Sequence, residues 1–295
     1  MSKNCNNLMD RRPRSRLALA TILTVFLSMV SVSSAQAADP VSAPVSPTAS
    51  YARIADLVTL SPAIATVRIA SATPLKAERA PDVAQGNARF YVEAETSGLI
   101  RGETVIAKKV AFLLDGPAGK ATQSSLKRRS FLIFGKIGAQ VDQFQLASST
   151  ALIEWSPANE ALVRKVLGDA LAPDAPPAIK GVTSAFHVAG AILGEGETQV
   201  FLETTNGTPV SLSIVRRPDE LPQFSASLGE IVDNSASFPE PDTMLWYRLS
   251  CGLPNSLPDR ALRSLEPTDA EQANRDFFAF RQALAPCNRE AKRPF

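Results

Sequence analysis

His187 is the only histidine among the 295 residues. A Ser-His-Asp triad, or a metal site with several histidine ligands, must therefore use it or be absent. Its neighbours Ser184-Ala185-Phe186-His187-Val188 predict a strand running into a loop, where a histidine makes a local hydrogen bond. No G-x-S-x-G elbow supplies a partner nucleophile. Ser124-Ser125-Leu126-Lys127 meets the S-x-x-K spacing in which a helix lets a lysine activate a serine. The S-D-N-like and K-T-G-like elements that accompany it in penicillin-interacting enzymes are missing, and Arg128 and Arg129 follow directly. A solvated hairpin loop is expected there, with Lys127, Arg128 and Arg129 as a solvated basic face.

Glu195, Glu197 and Glu203 raise paired-carboxylate chemistry of the glycosidase kind, which needs two carboxyl groups converging at about 5 to 9 Å. Hairpin carboxylates are ordinarily surface groups, and Glu230 and Asp233 carry no stronger signal. Gly190, Gly194 and Gly196 contain part of a phosphate-loop pattern, but a strand, not a helix, follows them, so a turn is expected. Trp246 and Tyr247 could line a groove, although a Trp in an apolar segment is usually core. Asn206-Gly207-Thr208 matches a glycosylation sequon that a tight turn explains better. No residue is assigned a catalytic, cofactor-binding or metal-ligating role.

The N-terminus carries an address. Arg11, Arg12, Arg14 and Arg16 precede an apolar run from Leu17 to Val32, and small residues lead to Ala35-Gln36-Ala37. This predicts a signal peptide over 1–37, cut after Ala37. The apolar run is shorter than the roughly 20 residues of a membrane-spanning helix. Pro13 and Arg14 stand where a twin-arginine signal has other residues, so the general secretory route is expected. No Cys follows the run to carry a lipid. The chain has 31 Lys and Arg against 29 Asp and Glu; removing Lys3, Asp10 and the four arginines leaves 26 against 28. That balance offers no basic field for nucleic acid or an acidic membrane. Cys5 leaves with the signal, and Cys251 and Cys287 remain as a pair that an oxidising compartment would join. The expected location is periplasmic or extracellular.

Two domains are expected after an Ala/Pro/Ser linker over 38–50: one over 51–172, a Pro-rich break over 173–177, and a second over 178–295. In the first, strands are predicted over 63–70, 88–96, 105–114 and 130–134, with a weaker one over 144–153. A polar loop joins 115 to 129. A helix follows, capped by Ser156 with Pro157 in its first turn and ended before Pro173. Its apolar face is Leu162, Val163, Val166, Leu167, Ala170 and Leu171.

In the second domain Asn206-Gly207 predicts a two-residue hairpin turn. That register sets Phe201 opposite Leu212, Gln199 opposite Ile214, Glu203 opposite Val210, and Glu197 opposite Arg216 as a surface ion pair. Strands are predicted over 224–232 and 243–249. A last helix starts at Thr268, where Glu271 completes a capping box, and carries the stripe Ala273, Phe277, Phe280 and Leu284. Cys287 would tie it to the strand ending at Cys251.

The segments Ala55-Asp56-Leu57-Val58, Phe90-Tyr91-Val92-Glu93, Gly98-Leu99-Ile100-Arg101-Gly102 and Phe131-Leu132-Ile133-Phe134 resemble the OB-fold barrel of netrin-like domains and tissue inhibitors of metalloproteinases. The resemblance implies, in order, an entry strand, a central strand, a loop into the next strand and a late core strand. This chain lacks the N-terminal cysteines with which those inhibitors block a metal, so inhibition does not carry over. The whole chain also resembles secreted proteins of sphingomonad-type bacteria, a resemblance that carries no activity with it. The fold expected is mostly β (α+β): an OB-like small barrel with a helix, then an antiparallel β domain with a disulfide-tied C-terminal helix. The leading functional expectation is a non-catalytic binding module for a protein or cell-envelope component. A carboxylate-based envelope hydrolase and a structural assembly protein are the alternatives.

Overall fold

Ser50 opens the first element: its hydroxyl accepts the Arg53 N–H and caps helix α1 (Tyr51–Leu60). The structure, a computed structural model, describes residues 49–229 and 236–290. Residues 1–37, expected as a signal peptide and including Cys5, most of the segment expected as a linker, Glu230 and Asp233 lie outside the described residues. Ala55–Val58, expected as an entry strand, are helical, and Ile54, Leu57 and Val58 face the core.

The first sheet contains β1 (Ala63–Pro74), β2 (Asn87–Arg101), β3 (Lys109–Pro117), β4 (Ser130–Ile137), β5 (Phe144–Leu146) and β6 (Leu152–Glu154). Its order is β3-β2-β1-β4-β5, with β6 on β4, and all these pairings are antiparallel. Gly98 to Arg101 extend β2 where a loop was expected, and 144–153 divides into two short strands. The ends of the order meet: Ala111 N–H donates to the Asp142 carbonyl at 2.7 Å, and Ala111 forms a parallel bridge with Gln143. Gly135 sits on β4 because a Cβ there would strike the Gln145 carbonyl.

The loop expected over 115–129 contains a helix, α2 (Lys120–Leu126). Leu126, fully buried, pins it into the apolar core of the first sheet with Val67, Phe90, Phe112, Phe131 and Phe144. The uninterrupted apolar run of β4 is accounted for by burial on both faces. Phe131 and Ile133 belong to this core, whereas Leu132 and Phe134 belong to a second one.

Helix α3 (Pro157–Leu171) starts as expected, with the Ser156 hydroxyl accepting the Asn159 N–H and Pro157 in the first turn. Val163 and Val166 are buried, but Leu171 is exposed. The second sheet, of order β10-β9-β8-β7, comprises β7 (Ile179–Ala189), β8 (Gly196–Thr204), β9 (Val210–Arg216) and β10 (Gln223–Ser227). Its hairpin register differs by one residue from the two-residue-turn expectation: Val200 pairs with Leu212, Leu202 with Val210 and Thr198 with Ile214. A longer loop does this. Asn206 Oδ1 accepts the Thr208 N–H and the Thr204 hydroxyl donates to the Thr208 carbonyl, while Gly207 adopts φ 79°. A one-residue slip exchanges the faces of a strand, and only the observed register sets the buried side chains opposite one another. Glu197 consequently faces Val215, not Arg216.

Residues 243–249, expected as a strand, belong to helix α4 (Met244–Gly252), whose N-terminus is capped by the Thr243 hydroxyl accepting the Trp246 N–H. A short α5 (Asp259–Leu262) precedes α6 (Pro267–Ala283). Helix α6 begins one residue before Thr268: Glu266 is the N-cap, Pro267 leads, and no capping box forms. Ala273, Phe277, Phe280 and Leu284 are buried, as the stripe predicts. Cys251 is disulfide-bonded to Cys287, joining α4, rather than a strand, to the segment after α6. The described protein is thus mostly antiparallel β with several helices and a disulfide-tied C-terminal helix region. One apolar core contains Ile54 of α1, Phe134 of β4 and Val166 of α3 together with Val200 of β8, Trp246 of α4 and Phe277 of α6. It lies across the 173–177 segment that separates the two sheets in sequence.

Two tyrosines seal helix contacts in this core. Tyr51 Oη donates to Asp169 at 2.9 Å and Tyr247 Oη donates to Asp56 at 2.7 Å; the two residues are 2% and 6% exposed. Burial, and secondarily these carboxylate partners, push both phenols above their ordinary range. A folded-state value above the unfolded value near 10 contributes stability that is intact below pH 10 and is lost as pH rises. Urea midpoints are therefore expected to fall more steeply between pH 9.5 and 11 in the wild type than in a Tyr51→Phe, Tyr247→Phe variant. Equal slopes would count against this assignment.

Candidate functional site

Period-two alternation on β2 and β3 sends Phe90, Val92, Phe112 and Leu114 inward and leaves Arg89, Tyr91, Leu113 and Asp115 on the outer wall of the first sheet. The register sets Arg89 opposite Asp115 and Tyr91 opposite Leu113. The 138–149 segment, from the β4–β5 connection through β5, rises beside them. Together they enclose a groove of about 680 Å³ lined also by Gln143, Gln145, Ser148 and Ser149, with Phe112 and Phe144 beneath. Tyr91 and Leu113 are 43% and 49% exposed.

Arg89 is fixed in this groove. Its Nε and Nη2 donate to the two Asp115 oxygens at 2.7 and 2.8 Å, and Nη1 and Nη2 donate to Asp82 at 3.1 and 3.0 Å. These carboxylates hold the guanidinium charged, and the hydrogen bond from Arg89 keeps Asp82 below the usual carboxylate range. Bidentate pairs of this kind hold a planar group in one orientation. A second depression of about 640 Å³ lies on the outer face of the other sheet, where Phe186 and Phe201 meet edge to face at 5.8 Å.

His187 does make a local hydrogen bond at the end of its strand, but within a larger network. Its Nδ1 lies 2.9 Å from Thr198 Oγ1, and the Thr198 hydroxyl donates to Asp276 Oδ2. With that proton committed, Thr198 accepts from an Nδ1–H of His187. Asp276 Oδ1 accepts from Arg216 Nε and, at 2.8 Å, from Gln272 Nε2. Asp276 and Thr198 are fully enclosed. In this chain the hydroxyl stands between the acid and the imidazole, donates to the acid and has no access to solvent. That is the opposite of a nucleophile relay, in which the imidazole takes the hydroxyl proton. The network joins α6 to β7, β8 and β9.

The other sequence candidates are dispersed. Ser124 is exposed on α2, not in a loop, and Lys127 follows as its C-cap. Arg129 pairs with Glu154 at 2.6 Å and covers the Phe131 ring. Glu197 accepts from Gln199 and Ser213, Glu203 lies 3.5 Å from Arg260, and Glu195 stands in the exposed β7–β8 loop. The Gly190–Gly196 segment is a turn between strands, with Gly194 at φ 90°. Trp246 and Tyr247 are core, and Trp246 Nε1 donates to the Ala285 carbonyl. Among the described residues, no group of three or more His, Cys, Asp and Glu could hold a metal ion, and no helix is long and apolar enough to cross a membrane.

Sequence reasoning missed Asp276 and the groove. Asp276 had a signal: it lies on the apolar stripe of α6, three residues after Ala273 and four before Phe280, where a carboxylate must find partners. The groove had none, because its walls meet only through the closure of β3 on β5. Comparison with protein-family models finds none that matches this chain, and comparison with curated proteins finds no match either.

Proposed function

We propose that the protein is a secreted or periplasmic, non-catalytic binding module for a protein or cell-envelope component, and that the groove beside Arg89 and Tyr91 is its binding site. The observation that carries this reading is the groove itself. It is concave, of ligand size, and combines exposed apolar side chains with a few fixed polar groups. The order β1-β2-β3-β5-β4 around the first sheet, with a helix between β3 and β4, supports an OB-like barrel. In such barrels the wall of the second and third strands is a common binding face. The compartment rests on the address read in residues 1–37. The engaged state of His187 and the separate partners of Glu197 and Glu203 favour binding over hydrolysis.

The test is capture of partners from native envelope extract by the tagged secreted chain and by a Tyr91→Ala, Leu113→Asp variant. One stoichiometric component, held by the wild type and lost from a variant with unchanged melting temperature, is the expected result. A component retained equally by both would place binding elsewhere.

A further inference from the structure

We infer that the groove on β2 and β3 takes a neutral glycan, an inference that rests on reading this groove as the binding site. Tyr91 offers an amphipathic ring, half exposed, beside the apolar surface of Leu113 directly across the sheet. One strand period away, about 6.8 Å along β2, stands the Arg89–Asp115 pair. A sugar ring presents the same juxtaposition: a C–H face that packs on an aromatic or aliphatic surface, and an equatorial rim of hydroxyls. Asp115 keeps lone pairs free to accept hydroxyl protons beyond those from Arg89. On the opposite wall Gln143 and Gln145 supply amides that both donate and accept, as adjacent hydroxyls require.

Charge selects neutral ligands. Arg89, the only cation lining the groove among the described residues, is met by two carboxylates, Asp82 and Asp115. Among the described lining residues no uncommitted positive charge remains for a polyanion, and phosphate or sulfate chains bind mainly through such charges. An acidic peptide is disfavoured for the same reason.

The experiment uses the secreted chain and titrates chitotetraose, cellotetraose and maltotetraose by calorimetry, with heparin and a dT12 oligonucleotide as polyanion probes. At least one neutral tetrasaccharide is expected to bind, with an affinity that changes less than twofold between 50 and 500 mM salt. Tyr91→Ala and Gln145→Ala, both on exposed positions, are each expected to weaken it at least tenfold with unchanged melting temperature. Silence from all three neutral probes overturns the inference. So does binding that survives both substitutions, or binding of heparin or dT12 that salt abolishes. If an envelope component is still lost on Tyr91→Ala while the sugars fail, the groove stands as a binding site and only the glycan assignment falls.

Discussion

Replacing Arg216 with methionine is expected to destabilise the protein by about 3 kcal/mol, because a buried carboxylate loses its charge partner. The Asp276 side chain is 1% exposed, and Arg216, itself 30% exposed, supplies an arginine contact to it. Thr198 and Gln272 would still donate to the carboxylate, which holds the expectation at the lower end for a broken buried pair. Methionine preserves most of the side-chain volume, so the loss isolates charge from packing. Urea unfolding at neutral pH measures it. Adding Asp276→Leu to Arg216→Met removes the stranded carboxylate and is expected to recover part of the loss, since the energetic fault is an unpaired charge. A loss below about 1 kcal/mol in the single variant would mean that water reaches Asp276 once Arg216 is gone.

The second large effect is expected from the disulfide. Cys251 and Cys287 are 36 residues apart, and in the chain-entropy account a loop of that length restrains the unfolded chain by about 4 kcal/mol. The bond holds the segment after α6 against α4, where the Ala285 carbonyl also accepts from Trp246 Nε1 and from the Ser250 hydroxyl. A Cys251→Ser, Cys287→Ser variant should therefore unfold at a much lower urea concentration. Its native far-ultraviolet circular dichroism should be retained, because the core residues Phe277 and Phe280 remain buried. Equal midpoints for oxidised and doubly substituted protein would show that these contacts hold the segment without the bond. If Arg216→Met destabilises oxidised and disulfide-free protein equally, the two devices act independently.

The particular departures from the sequence reading share a cause. Met244-Leu245-Trp246-Tyr247 has the apolar density of a buried strand, and short apolar runs do not distinguish strand from helix. Thr243 as cap and burial against α1 decided for helix. Asn206-Gly207 is a strong turn signal, but it sits inside a five-residue connection whose register obeys the burial of Val200, Leu202, Val210 and Leu212. The polar stretch after Asp115 concealed α2 because Leu126 is the one apolar residue it buries, beside Thr122, too little for apolar periodicity to reveal. Helix α3 was legible because cap, first-turn proline and apolar face agree at one place.

Local chemistry sufficed for the β-rich character, the α3 boundaries, the stripe of α6 and the pairing of Cys251 with Cys287, since caps and alternation act over short stretches and the expected loss of Cys5 left one pair. Tertiary structure alone decided the closure of β3 on β5, the groove this forms, and the partners of Asp276. Those features bring together residues from 187 to 276 and from 89 to 149, and no short-range preference specifies which distant strands share an edge. The core does so, by requiring each apolar face to be covered and each enclosed charge to be answered.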